Sequence, residues 1–318
     1  MKEFKGEFQF GILTRYTGRD KNVVIPDRVT SIGANAFREC KVKSVMIPDS
    51  VTKINNCAFC NCVKLQRVTI GSGVTSIEDS AFSGCCALKS ILIPDSVTSI
   101  GKYAFNGCYA LKSILIPNSV TSIGHEAFYG CYALESILIP DSVTEIYSGA
   151  FVSCRALHSV SIGGGVTSIG DGAFTGCTSL TSIAIPSGVT SIGEYAFSHC
   201  TSLASITIPD RVKSIGEHAF FHCTSLVSIT IPDRVKSIGK NAFYNCKSLT
   251  SITISDSVTS IGDEAFFNCT SLTSITIPER FRPKLDTIFG VSESVLKEGG
   301  VKLTFTPDAA INGSASSK

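Results

Sequence analysis

The sequence predicts a stacked-repeat solenoid of α/β type, in which each repeat contributes short strands and a short helical turn. Residues Leu180–Ser202 form a clean copy of the repeat, and the same pattern restarts at Leu203, 23 residues on. Eleven Ala-Phe pairs mark successive copies, the first ending at Phe37 and the last at Phe266. A fixed period of this length is typical of solenoids, whose repeats bury their apolar side chains only against their neighbours.

The first part of each repeat is predicted to be extended. A Leu-x-x-Ile-x-Ile segment, such as Leu88–Ile93, ends in the alternation of a short strand, and a proline or another turn residue then ends its pairing. A Val-x-x-Ile segment, such as Val97–Ile100, predicts a second extended piece on the opposite wall. Ala104, Phe105 and Cys108 then follow Ile100 at helical spacing, which predicts one or two helical turns.

The ends of the chain depart from this pattern. We expect residues 1–24 to form a β-hairpin that caps the stack, and about eleven repeats to occupy residues 25–278. An apolar helical face followed by an alternating segment predicts a C-terminal cap over residues 279–306. Residues 307–318 have little to bury, so a flexible tail is predicted there.

Composition excludes several classes of function. The formal net charge of the 318 residues is only +2, so no basic surface predicts a nucleic-acid partner. Apolar residues come singly rather than in long runs, so no membrane insertion is predicted. The first residues also lack the apolar core of a signal peptide, which indicates either a cytoplasmic protein or a leader that was removed.

The repeat Leu-x-x-Ile-x-Ile-Pro-x-x-Val-x-x-Ile-Gly-x-x-Ala-Phe-x-x-Cys-x-x resembles the BspA-like, or Treponema pallidum-type, leucine-rich repeat over residues 25–278. The resemblance implies a right-handed, curved stack with a parallel β-sheet on its concave face. It also implies a location on the cell surface or outside the cell, and a partner that is a protein or a host extracellular-matrix or cell-surface ligand. The family offers no catalytic residues to carry over.

An apolar stripe is the strongest candidate for a binding site. Leu92, Leu115 and Leu138 occupy one outward-facing strand position in three successive repeats, where they are expected to lie exposed on the concave face. Contiguous exposed apolar surface often marks an interaction site, although duplication of one neutral substitution would give the same pattern. The charged residues beside the stripe are Lys89, Lys112 and Glu135.

Cysteine and histidine give weaker signals. Eleven of the fourteen cysteines share one repeat position, which favours buried free thiols over disulfides. Cys57 and Cys60 form a Cys-x-x-Cys pair outside this position, which suits a redox or metal role, but no second pair at zinc-binding spacing follows. His199, His218 and His222 lie near one another in adjacent repeats, which suits zinc or simply tolerated surface histidines. No metal and no cofactor are predicted.

Motifs for nucleotide binding, metalloprotease or serine-hydrolase chemistry are absent from the sequence. The sequence therefore predicts a non-enzymatic solenoid for protein binding or adhesion. The alternative is an intracellular protein–protein interaction scaffold, which the missing leader and the thiol-rich composition favour. Neither reading predicts an oligomeric state.

Overall fold

The computed structural model describes residues 4–308 as a parallel β-solenoid of about twelve turns. Two walls of short parallel strands and a third side of tight turns enclose one continuous hydrophobic core. The predicted repeat solenoid is confirmed. The repeats stack as expected because each buries its leucine, isoleucine, valine and phenylalanine against the same residues of the next repeat.

One wall is an unbroken 13-stranded sheet, here called the serine–isoleucine sheet. It is built mostly from the Val-x-x-Ile segments, which pair in register so that Ile100 lies beside both Ile77 and Ile123. Its strands are Gly6–Gln9, Ile12–Tyr16, Ser31–Ile32, Lys53–Ile54, Ser76–Ile77, Ser99–Ile100, Ser122–Ile123, Glu145–Ile146, Ser168–Ile169, Ser191–Ile192, Ser214–Ile215, Ser237–Ile238 and Ser260–Ile261.

The opposite wall, here called the leucine face, carries the Leu-x-x-Ile-x-Ile segments. Its strands alternate between exposed and buried side chains, and they fall into sheets of five, two, two and three strands. The strands are Asn22–Val24, Ser44–Met46, Arg67–Thr69, Ser90–Leu92, Ser113–Leu115, Ser136–Ile139, Ser159–Ile162, Ser182–Ala184, Ser205–Thr207, Ser251–Thr253, Ser274–Pro278 and Lys302–Thr306. Isolated bridges of Ser228 to Ser205 and Ser251 link the remaining repeat.

The third side of each repeat is a chain of β-turns rather than the predicted helix. Tyr103 and Gly107 have φ values of 57° and 69°, which a right-handed helix does not contain. The backbone N–H groups of Tyr103, Phe105 and Gly107 donate to carbonyls of the next repeat, while those of Ala104 and Cys108 close turns within their own repeat. Helical spacing in the sequence therefore reflects tight turns whose alternate amides bind the neighbouring repeat.

Phenylalanine forms a continuous aromatic ladder behind these turns. Eleven phenylalanines from Phe37 to Phe266 are buried, and their rings stack with centroids 4.8–5.5 Å apart. Tyr16 stacks on one end of the ladder at 4.9 Å and Phe289 on the other at 5.5 Å. Stacked aromatic pairs add to the hydrophobic stabilisation of burial, so the ladder couples every repeat to the next.

A ladder of thiols runs beside the phenylalanines. Ten of the eleven repeat-position cysteines are buried, from Cys62 to Cys269, and Cys40 is half-buried. Each buried Sγ donates to the carbonyl of the preceding repeat's phenylalanine at 2.9–3.3 Å. Burial raises the pKa of the Cys62 and Cys200 thiols to about 12. The prediction of buried free thiols is confirmed for these ten residues.

The segments at both ends of the stack pair with its walls as the strands of a repeat do. The antiparallel hairpin of Gly6–Gln9 with Ile12–Tyr16 joins the serine–isoleucine sheet, and Asn22–Val24 joins the leucine face. At the other end, a 3-10 helix (Glu279–Lys284) and two short α-helices (Leu285–Phe289 and Glu293–Glu298) precede the last strand. Of the predicted tail, Asp308 forms an ion pair with Arg280, and residues 309–318 lie outside the described residues.

Candidate functional site

The three predicted leucines lie on the surface of the leucine face. Leu92, Leu115 and Leu138 are 62%, 57% and 47% exposed, while the flanking isoleucines of each strand are buried. Leu92 and Leu115 are direct partners across two paired strands. Leu138 occupies the same position on Ser136–Ile139, whose repeat hydrogen-bonds to the previous one through the amide of Glu135. The leucines therefore form one contiguous column.

The structure extends this column towards the N-terminus beyond the residues that the sequence indicated. Val24, Met46 and Thr69 are register partners of one another and lead to Leu92. Val24 is 64% exposed and Met46 is 52% exposed. Sequence reasoning missed Val24 because residues 1–24 do not show the repeat pattern. We call the set Val24, Met46, Leu92, Leu115 and Leu138 the apolar column, which Thr69 interrupts between Met46 and Leu92.

A column of positive charge runs beside the apolar column. Lys89 and Lys112 are exposed and directly precede their strands, and their backbones are hydrogen-bonded in sequence with those of Lys21, Lys43 and Gln66. The set Lys21, Lys43, Lys89 and Lys112 is called the lysine column. Glu135 ends it by pairing with Lys112, with Nζ and Oε1 3.4 Å apart. An exposed ion pair of this kind contributes about 0–1 kcal/mol to stability.

The apolar column and the lysine column lie only in the N-terminal half of the leucine face. From Ala184 onwards the position of the apolar column is occupied by small or hydroxyl-bearing residues, and the position of the lysine column by neutral residues. The residues in the apolar position are Ala184, Thr207, Thr230, Thr253 and Thr276, and those in the lysine position are Thr181, Ala204, Val227, Thr250 and Thr273.

The three histidines are brought together, and one ring nitrogen of each lies within hydrogen-bonding distance of a neighbouring side chain, whereas Nδ1 of His218 is buried without a partner among the described residues. His199 stacks on His222 at 5.0 Å, and His218 stacks on Tyr195 at 4.5 Å. The amide nitrogens of Asn241 and Asn245 lie 3.0 and 3.1 Å from ring nitrogens of His218 and His222. Burial lowers the pKa of His218 and of His222. Among residues 4–308, no three His, Cys, Asp or Glu side chains are arranged to hold a metal ion.

Cys57 and Cys60 lie together in one β-turn and are both half-buried free thiols. The amide of Cys60 donates to the carbonyl of Cys57 at 2.9 Å. Burial, followed by the neighbouring Cys57 thiol, raises the pKa of Cys60, while Arg38 acts in the opposite direction. The Cys-x-x-Cys pair singled out in the sequence therefore lies outside the buried thiol ladder.

No helix in the described part of the chain, residues 4–308, has the length and apolar character needed to cross a bilayer. Within this described part the helices lie at the C-terminal end of the stack, and the longest runs have six residues.

Comparison with known proteins identifies relatives of this architecture. A leucine-rich repeat protein from T. pallidum shares 34% identity over 53% of this chain and 82% of that chain, with a TM-score of 0.51. A leucine rich cell surface protein from Faecalibacterium prausnitzii A2-165 shares 29% identity over 96% of this chain and 91% of that chain, with a TM-score of 0.53. The pneumococcal vaccine antigen PcpA, at 22% identity, shares the fold over 93% of this chain and 91% of its own, with a TM-score of 0.61.

A search of curated proteins gives no significant match. The family model for the BspA type leucine rich repeat region matches residues 15–94, 75–204 and 190–294, which together span most of the sequence. These matches include the strands of both walls and the turn side. The chain belongs to the BspA-type leucine-rich repeat family.

Proposed function

We propose that the protein is a non-catalytic solenoid that binds a protein partner along the apolar column of the leucine face. Leucine-rich repeat proteins generally bind other proteins, and the apolar column is the observation that carries the proposal. Its exposed members spread over six repeats, or about 24 Å at the usual strand spacing. An apolar surface of this extent is stabilised by a partner that removes it from water.

The lysine column adds a chemical preference to this surface. Four lysines along one edge, with Glu135 as the acid at its end, favour a partner that carries carboxylates beside its apolar contacts. Such charges raise the association rate and make binding sensitive to salt. The free energy of binding would come mainly from burying the leucines.

Adhesion at the cell surface is the specific form of this proposal. The similar F. prausnitzii chain is described as a leucine rich cell surface protein, which supports that location. An intracellular scaffold is the second candidate, because all fourteen cysteines are free thiols and free thiols persist best in a reducing compartment. Protease treatment of intact cells separates the two: loss of the protein supports adhesion, and full protection supports the scaffold.

The binding site is tested with immobilised fibronectin, laminin and collagen as probes. The variant L92S/L115S/L138S removes the three leucines of the apolar column, and T207S/T230S/T253S places the same three serines at the matching positions of the other half. We expect the leucine variant to lower affinity for the bound probe by about tenfold or more and the threonine variant to leave it unchanged. Both variants should keep wild-type thermal stability, since the substituted side chains are exposed.

Equal affinity of the two variants for the bound probe would show that the apolar column is not the binding site. Failure of the wild-type protein to bind any of the three probes would overturn adhesion to these matrix proteins. In both cases the circular dichroism and melting temperature of each variant serve as the folding control.

A further inference from the structure

Cys57 and Cys60 stand apart from the ladder cysteines. The ladder thiols point into the core, whereas these two flank the buried pair Ala58-Phe59 on the outside of one β-turn and are half-exposed. The ten other repeats have no cysteine at either position. The chain therefore places two half-buried thiols in the same turn, at positions that hold varied residues in the other repeats.

The turn brings the two cysteines within the Cα separation that a disulfide can span. Because the amide of Cys60 donates to the carbonyl of Cys57, the two residues are the first and fourth of a β-turn. The Cα atoms of such residues lie within about 7 Å, and a disulfide spans about 4.4–6.8 Å between Cα atoms. Ala58 and Phe59 anchor the turn in the core, which leaves the Cys57 thiol within hydrogen-bonding reach of the Cys60 thiol.

We propose that Cys57 and Cys60 are a redox-active dithiol that closes to an intramolecular disulfide by exchange with a low-molecular-weight disulfide such as glutathione disulfide. In the first step one cysteine thiolate attacks a sulfur of glutathione disulfide, which forms a protein–glutathione mixed disulfide and releases one glutathione. In the second step the other cysteine thiolate attacks the protein sulfur, which forms the Cys57–Cys60 bond and releases the second glutathione.

The exchange is balanced without any further reactant. The two protein thiols lose two electrons and two protons, and glutathione disulfide gains them as two glutathione thiols. The second step is intramolecular, so it outruns the attack of a second glutathione molecule on the protein. Because attack requires a thiolate and burial raises the pKa of Cys60, the exchange accelerates as the pH rises.

Two neighbouring cysteines mark the limits of the site. Cys62 belongs to the same repeat, but it is buried and its Sγ donates to the carbonyl of Phe37. Cys86 is half-buried like the dithiol, and its Sγ donates to the carbonyl of Gly84. Cys86 therefore provides a matched control for an exposed thiol outside the dithiol turn.

The test incubates the reduced full chain with glutathione disulfide and then alkylates the remaining thiols. Mass spectrometry of the tryptic peptide Ile54–Lys64, which contains Cys57, Cys60 and Cys62, locates each modification. For the wild-type chain we expect the loss of two hydrogens with the bond between Cys57 and Cys60, an alkylated Cys62 and no glutathione on the peptide. The C57S and C60S variants should each stop at one bound glutathione, and C86S should behave as wild type.

Three results would overturn the proposal. The first is that Cys57 and Cys60 are both alkylated after incubation with glutathione disulfide. The second is that the wild-type chain accumulates the protein–glutathione mixed disulfide. The third is a disulfide that joins Cys57 or Cys60 to another cysteine. The C57S, C60S and C86S variants are expected to keep the wild-type melting temperature, which shows that the reactivity is measured on folded protein.

Discussion

The two halves of the leucine face share a backbone and a core but present different surfaces. The N-terminal half carries the apolar and lysine columns, and the C-terminal half carries threonines with neutral neighbours. Beneath both halves run the buried phenylalanine ladder, from Phe37 to Phe266, and the buried thiol ladder, from Cys62 to Cys269. The comparison separates residues that every repeat needs for stacking from residues that only some repeats carry, and the latter are where a binding function is expected.

The largest predicted effect concerns the shared thiol ladder. Burial holds the pKa of nine ladder thiols, from Cys62 to Cys246, above the ordinary value. Thiols of the unfolded chain ionise near pH 8.5. Below that pH their ionisation does not affect the free energy of unfolding, and above it the free energy of unfolding falls. The slope is about 1.4 kcal/mol per pH unit for each thiol that ionises only on unfolding.

Urea unfolding at pH 7.5, 8.5 and 9.5 measures this loss. The variants C108A and C200A, one in each half, should reduce the slope equally. A free energy of unfolding that stays constant up to pH 10 would contradict a protonated, buried ladder.

The next largest effect tests whether the two halves have equivalent cores. Phe105 and Phe220 each stack between two other rings, so Phe105→Ala and Phe220→Ala should each cost about 3–5 kcal/mol of unfolding free energy. Denaturant titration of both variants gives the values. Phe10 is 95% exposed, and Phe10→Ala should change stability by less than about 0.5 kcal/mol. Clearly unequal losses at Phe105 and Phe220 would show that the halves do not share one core.

The smallest effect is confined to the C-terminal half. Burial lowers the folded-state pKa of His218 and His222, against the opposing effect of Glu217 and Glu194 on His218. Lys240 lowers the pKa of His218 further, and His199 and Lys247 do the same for His222. A histidine whose pKa is lower in the folded than in the unfolded state contributes its full stability above about pH 6.5, and that contribution is lost as the pH falls below this value.

Stability measured between pH 7 and pH 5 should therefore fall for the wild-type chain and fall less for H218Q/H222Q. The N-terminal half has no histidine at these positions, so C57S/C60S should follow the wild-type curve. Parallel curves for the wild-type chain and H218Q/H222Q would contradict the role given to the two histidines.

Periodicity predicted the stacked fold, the burial of the ladder cysteines and the exposure of Leu92, Leu115 and Leu138. It did not predict the turns, because Tyr103 and Gly107 adopt positive φ to direct their amides at the next repeat, and that requirement arises only on stacking. Val24 was missed for a related reason. Its strand pairs with Ser44–Met46 by backbone hydrogen bonds, which do not need the repeat's consensus residues.

The sequence also did not predict which of the two walls forms the more continuous β-sheet. The Leu-x-x-Ile-x-Ile segments have the stronger strand pattern, yet the continuous 13-stranded sheet is built from the shorter Val-x-x-Ile segments. Hydrogen bonding between repeats depends on how the strands stack, and a single repeat contains no information on that arrangement. The charges of the lysine column are visible in the sequence, but their alignment depends on the same stacking.

Hydroxyl-radical footprinting of the wild-type chain, with and without a bound matrix protein, tests the central claim most directly, because it reads side-chain exposure on both halves in one experiment. We predict that binding lowers the oxidation of Met46, Leu92, Leu115 and Leu138 and leaves that of Tyr195 and Val227 unchanged; all six are exposed in the free chain. Protection of Tyr195 or Val227 with continued oxidation of the leucines would contradict the account.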